Sequence, residues 1–221
     1  MIPSFAIERT QEILFELNYL IENGLVPDTR VFLDSPLAIR ATKIYDDYLS
    51  YFDKESQELI KTGDDIFRFP GLEMTSSSRM SKRINKTPAP KVIIAGSGMC
   101  VGGRIPFHLK LYLNDPKNQL LFIGYQVGGS LGRRLFDGAK RVKILGEYIN
   151  VKAKVNAIGA YSAHADQPKL LHWVKMMTRP KPKKVFIVHS EEEPALMIKD
   201  GLKQKLKIEG IVPEYGMKYE L

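Results

Sequence analysis

Apolar positions along this chain recur at two periods, and the switches between them predict its elements. Ile13, Leu14, Leu17, Leu20 and Ile21 form one face of a helix that Gly24 stops. Ahead of it, Ile2–Ala6 reads as the end of a strand whose earlier part is absent. Thr29–Asp34 is a short apolar strand, and Pro36 suits the first turn of a helix running to about Phe52. A helix over Glu55–Thr62, a strand over Phe69–Met74 and a basic helix over Arg79–Lys86 follow. Lys91–Ala95 is a buried-type strand that ends in a glycine-rich turn, Gly96 to Gly103. A helix over Ile105–Leu113, a strand over Gln119–Tyr125 and a helix containing Gly132–Phe136 complete this part. Strands alternating with helices predict a parallel sheet covered on both faces, an α/β fold of Rossmann-like type.

From about Arg141 the pattern changes. Val142–Leu145, Asn150–Ala153 and Val155–Ile158 read as strands of a meander. A helix over Gln167–Met177, a strand over Lys184–Val188, a helix over Glu192–Lys207 and a last strand over Ile211–Tyr219 close the chain. A domain boundary near 140 is expected, dividing the chain into 1–140 and 141–221.

Composition adds two constraints. At 221 residues, 44% hydrophobic and 26% charged, the chain is an ordinary globular one, long enough for one large or two small cores. No apolar run approaches the ~20 residues that cross a bilayer, and the first residues lack a signal-peptide pattern. The single cysteine, Cys100, forms no internal disulfide, so a reducing, cytoplasmic setting is expected. Charge is unevenly spread. Residues 1–90 carry 11 Lys/Arg against 14 Asp/Glu, and 91–221 carry 22 against 11, within a net charge of +8. A basic half of this kind suits a polyanion, although lysines that merely solvate helices give the same count.

Candidate chemistry sits at predicted strand ends, where open α/β sheets collect ligands. Asp34, Ser97, His164 and His189 all occupy such places. Singly, an Asp after a strand is more often a helix cap, and a lone His more often a structural residue. The glycine-rich turn has the spacing Gly-x-Gly-x-x-x-Gly, one residue too long for a dinucleotide fingerprint, and no acid ends the next strand to hold a ribose. His108 and His172 fall within amphipathic helices and read as structural, His108 being nearer the groove. Cys100 reads as packed, not reactive.

Together, the phrases resemble the signature motifs of the β-CASP branch of the metallo-β-lactamase superfamily. Phe32-Leu33-Asp34-Ser35-Pro36-Leu37-Ala38 resembles motif A, Ser162-Ala163-His164-Ala165-Asp166-Gln167 motif B, and Val188-His189-Ser190-Glu191 motif C. Ile93–Arg104 is similar to the family's Ser-Gly-Met loop. Gly124-Tyr125-Gln126 with Leu131–Leu135 resembles the end of the β-CASP insert, and Pro3–Ala6 with Glu8–Glu12 its start. The resemblance covers nearly the whole chain. It implies a β-CASP domain followed by a partial metallo-β-lactamase αββα segment, and a zinc-dependent ribonuclease as the parent activity. In such an enzyme two zinc ions activate water and clamp a phosphodiester. The resemblance implies His189 as a zinc ligand, His164 as the group against the scissile phosphate, and Asp34 as a carboxylate orienting His164 or a ligand. It implies Ser162, Ser97, Gly98 and Ser35 as contacts to RNA phosphates. Histidine in motif C implies RNA, since DNA-repair members carry valine there. Serine at 190 departs from the commoner glycine.

The His-x-His-x-Asp-His cluster that holds most of the metal in this family is absent from the sequence. One imidazole does not hold zinc. The chain by itself is therefore expected to be metal-free and inactive, to need the N-terminal metallo-β-lactamase half, and to self-associate through apolar surface. Single-stranded RNA is the expected partner and a membrane is not. The alternatives are a non-catalytic single-stranded RNA-binding module and a scaffold subunit of an RNA-processing complex.

Overall fold

Short apolar runs such as Arg-Val-Phe-Leu and Lys-Val-Ile-Ile-Ala bury both faces, and strands of this kind form the centre of a parallel sheet. A computed structural model of the chain describes residues 1–159 and 164–220. They form two compact units, divided between residues 162 and 163.

In the first unit the elements run β1 (Ile2–Pro3), α1 (Arg9–Glu22), β2 (Arg30–Leu33), α2 (Pro36–Asp47), α3 (Lys54–Lys61), β3 (Leu72–Met74) and α4 (Ser78–Ile84). They continue as β4 (Lys91–Ala95), α5 (Ile105–Tyr112), β5 (Gln119–Phe122), α6 (Leu131–Phe136), β6 (Arg141–Ile144), β7 (Glu147–Asn150) and β8 (Lys154–Ala157). Four parallel strands lie in the order β1-β4-β2-β3. Hydrogen bonds from the Met1 ammonium to the Gln119 carbonyl (2.8 Å) and from the Leu121 N–H to the Met1 carbonyl (2.9 Å) bring β5 alongside β1. β8 pairs with β5 in parallel. The α/β class and the parallel sheet expected from the sequence are what the chain forms.

Strand alternation divides the core into two layers. Val31, Leu33 and Ile94 point to one face, with Ile13, Leu14 and Phe67. Phe32, Ile93 and Ala95 point to the other, with Ile105, Leu109 and Leu120. Helices cover both. The second unit holds α7 (Gln167–Met176), β9 (Lys184–Phe186), α8 (Glu192–Gly201) and β10 (Glu209–Ile211), with β9 and β10 parallel. Its core is small: Leu171, Val174, Leu202 and Ile208.

Four elements differ from expectation, each for a local reason. The second strand of the expected meander is Glu147–Asn150, not Asn150–Ala153, because Leu145 and Gly146, at φ +50° and +86°, make a tight turn that reverses the chain at once. The helix expected to reach Phe52 ends at Asp47, because Asp46 and Asp47 place two acids at the negative end of the helix dipole. The third strand of the expected meander, β8, turns away from β7. Lys152 and Ala153 both donate to the Leu113 carbonyl at the end of α5, at 2.8 and 2.9 Å, and this hands β8 to β5. The last strand covers only Glu209–Ile211, since Pro213 has no N–H to pair and a turn closes at Met217 with its N–H on the Glu214 carbonyl.

Candidate functional site

The parallel register sets where chemistry accumulates. Leu33 pairs with Ile94 and with Met74, and Pro3 with Ala95. The next residues, Ser4, Asp34, Thr75 and Gly96, therefore emerge together at the carboxyl edge of the sheet. Asp34 is fully buried there. Its N–H donates to the Ile94 carbonyl at 2.7 Å, and its carboxylate accepts four hydrogen bonds. Oδ1 accepts from Thr75 Oγ1 and Arg104 Nη1, both at 2.7 Å. Oδ2 accepts from Ser81 Oγ at 2.6 Å and His108 Nε2 at 2.7 Å. These fill the acceptor positions a carboxylate has. Burial alone pushes the Asp34 pKa up. The bonds from His108, Ser81, Thr75 and Arg104 outweigh it and hold the pKa at about 2.

Arg104 and His108 lie one turn apart at the start of α5, so both reach the same carboxylate. Arg104 also donates to the carbonyls of Thr75 (2.8 Å) and Ser76 (3.2 Å), tying α5 to the segment after β3. His108 stacks on Tyr112 with ring centroids 6.3 Å apart, and its Nδ1 is buried without a hydrogen-bond partner among the described residues. The sequence marks His108 as a structural residue near the groove and Arg104 only as the end of the glycine-rich loop, and it gives Thr75 and Ser81 no role. The i, i+4 spacing of Arg104 and His108 directly after the glycine loop was the available signal.

The glycine-rich turn closes on itself. Ser97 N–H donates to the Gly102 carbonyl (2.9 Å), Ser97 Oγ accepts from the Gly102 N–H (3.2 Å), and Ile105 N–H donates to the Gly96 carbonyl (2.9 Å). Gly103 has φ +70°, and a Cβ there would lie 2.2 Å from the Gly96 carbonyl oxygen. Gly98 is buried against the Phe5 ring, and its carbonyl accepts from Gln126 Nε2 at 3.0 Å. Ser35 caps α2 by accepting from the Ala38 N–H at 3.2 Å, and a Cβ at Gly96 would lie 3.6 Å from its hydroxyl. Asp34, Ser35, Ser97 and Gly98 thus share one sheet edge. In this structure the Ser97 and Ser35 hydroxyls brace a loop and a helix end.

His164 and His189 belong to the second unit. Each stands two residues before a helix N-cap, Asp166 for α7 and Glu191 for α8, and each side chain is exposed. Asp166 caps α7 by accepting from the Lys169 N–H at 3.0 Å. His189 has φ +57°, in the left-handed region. Ser190 does not, so the serine in place of glycine carries no strain there; its hydroxyl donates to the Glu191 carbonyl at 3.1 Å. Ser162 lies outside the described residues. Among the described residues no three His, Cys, Asp or Glu side chains come together as a metal-binding group. The described residues therefore do not build a zinc site by themselves.

A parallel sheet with a buried carboxylate and a closed glycine loop at its carboxyl edge, followed by a small βα unit in which two histidines each precede a helix N-cap, defines a class. The Beta-Casp domain family matches residues 10–135, and the Zn-dependent metallo-hydrolase RNA specificity domain matches 148–213. The chain belongs to the β-CASP family. Among its relatives are Ribonuclease TTHA0252 of Thermus thermophilus, 41% identical over 198 residues, and an RNase J-like protein of Methanocaldococcus jannaschii, 35% identical over 216. Transcription termination factor FttA of Methanosarcina mazei is 33% identical over 215. These alignments cover 90%, 98% and 95% of this chain but 44%, 48% and 33% of the relatives. The chain spans less than half the length of these relatives.

Proposed function

We propose that this chain is the RNA-engaging part of a zinc-dependent ribonuclease that hydrolyses phosphodiesters of single-stranded RNA. A β-CASP portion, 1–140, and a closing metallo-β-lactamase portion, 141–221, work with a metallo-β-lactamase half supplied elsewhere. The observation that carries the reading is the sheet edge at which motif A and the Ser-Gly-Met loop meet, in a chain whose relatives include proteins named ribonucleases.

In this reading His189 gives one imidazole to zinc, with the remaining ligands outside the described residues. Zinc, when bound, supplies Lewis acidity. His164 holds a phosphate oxygen and delivers a proton to the leaving oxygen. Ser162, Ser97 and Ser35 offer hydroxyl groups to the RNA backbone, and Gly98, buried against the Phe5 ring, shapes the loop that carries Ser97. Asp34 acts by positioning, since its carboxylate fixes Arg104 and His108 behind the loop. The chain alone is inactive because the histidine-aspartate cluster is not in it.

Replacing the matched segment of the Thermus thermophilus ribonuclease with this chain tests the roles in a protein that has both halves. His189→Ala should lower zinc content and RNA cleavage together. His164→Ala should lower cleavage, by about 10²–10⁴-fold for a lost acid, with zinc retained. Unchanged zinc and cleavage in His189→Ala would refute the assignment. A non-catalytic role in RNA binding is the second reading, favoured by relatives named transcription termination factors. It predicts RNA binding, and no cleavage in that chimera.

A further inference from the structure

β6 and β7 form an antiparallel hairpin in the register Arg141↔Asn150, Val142↔Ile149, Lys143↔Tyr148 and Ile144↔Glu147. Val142 and Ile144 are buried in the core. By alternation, Arg141 and Lys143 share the outer face with their cross-strand partners Asn150 and Tyr148. Tyr148 is 64% exposed. The Arg141 guanidinium carbon lies 4.7 Å from the centroid of its ring, and the Lys143 ammonium 5.9 Å from it. Lys140, Lys152 and Lys154, all exposed, flank the hairpin. Between 140 and 154 there are five Lys/Arg and one acid, Glu147. That acid is engaged by Lys110 Nζ at 2.6 Å, so it does little to neutralise the outer face.

We propose that the outer face of the β6–β7 hairpin is a second contact site for single-stranded RNA, at which one unpaired base stacks on Tyr148 while Arg141 and Lys143 hold the adjoining phosphates. This rests on the reading of the chain as an RNA-engaging protein and adds to it a site outside the sheet edge. An exposed ring on a rigid strand loses little conformational entropy on stacking, and flanking cations supply the attraction to the backbone that such sites share. Asn150, on the same face, carries both a donor and an acceptor for a base edge. A purely structural role is the competing explanation, since cross-strand aromatic–cation pairs stabilise hairpins. That role leaves RNA affinity untouched.

The test is fluorescence anisotropy of a short labelled oligouridylate with the 221-residue chain, across a salt series. Tyr148→Ala should weaken binding by about tenfold, the scale of one lost stacked base, while Tyr148→Phe, which keeps the ring, binds as the unaltered chain does. Lys143→Gln and Arg141→Gln, which keep the tyrosine should alanine unfold the hairpin, should each reduce the slope of log affinity against log salt by about 0.7. Tyr51→Ala removes another exposed tyrosine and should change nothing. Affinity and salt slope unchanged in all the hairpin variants would overturn the proposal while RNA engagement by the chain stands. Equal competition by duplex RNA would overturn the stacking. No RNA binding by the unaltered chain would overturn the RNA reading itself and this site with it.

Discussion

Arg104 Nη1 donates to Asp34 Oδ1 at 2.7 Å across 70 residues of sequence, joining the end of β2 to the start of α5. The carboxylate is fully buried and the guanidinium is mostly so. Because Arg104 also holds the Thr75 and Ser76 carbonyls, one ion pair joins the ends of β2 and β3 to the start of α5, and the Asp34 N–H on the Ile94 carbonyl ties β4 to the same edge. The glycine-rich loop rests on that edge.

Asp34→Asn should therefore be costly. It leaves the Arg104 charge without its counter-ion and turns an acceptor into an amide facing donors. A broken buried pair costs about 3 kcal/mol, so urea denaturation should show a loss of that order. A change under about 0.5 kcal/mol, the size of an ordinary surface substitution, would mean that the pair does not hold the edge together.

Acid should produce part of the same loss. The Asp34 pKa lies at about 2, below its ordinary value of 3.8. Its contribution is complete above about pH 4 and disappears as pH falls through 2. The difference corresponds to about 2 kcal/mol. Stability followed from pH 5 to pH 2 should fall more steeply in the unaltered chain than in Asp34→Asn, which lacks this titration.

The loop makes a sharper demand on one glycine than on its neighbour. Gly103→Ala sets a methyl 2.2 Å from the Gly96 carbonyl oxygen in a left-handed conformation, whereas a Cβ at Gly102 meets nothing within 4 Å. Thermal unfolding should show Gly103→Ala destabilised by at least about 1–3 kcal/mol, and Gly102→Ala close to the unaltered chain. Equal melting temperatures would refute the loop geometry.

Cys100 is buried, and burial pushes its thiol pKa up to about 12. The folded chain should resist iodoacetamide at neutral pH, because almost none of the thiol is ionised. The urea-unfolded chain should be alkylated readily. Rapid modification of the native protein would contradict this placement.

Much of the fold was legible because strand and helix signals were local. Pro36 at the first helical position, Gly24 past a helix end and the buried run Lys91–Ala95 are read directly from the sequence. The pairing of β8 with β5 was not legible, since it depends on two N–H groups meeting the Leu113 carbonyl across the end of α5. The same holds for the site. Asp34 and Ser97 are marked by predicted strand ends, and Ser35 and Gly98 only by the resemblance of their motifs. That Asp34 would spend its carboxylate on Arg104, His108, Thr75 and Ser81 was not readable, because those partners come from three segments that only the sheet register brings together.

The most direct test of the account is zinc content and single-stranded RNA hydrolysis measured on one preparation of the 221-residue chain that binds oligouridylate in a salt-dependent way. The account predicts binding with no stoichiometric zinc and no cleavage, and cleavage gained only when the metallo-β-lactamase half is added. Stoichiometric zinc with cleavage by the chain alone would contradict it, because the chain would then hold a complete site.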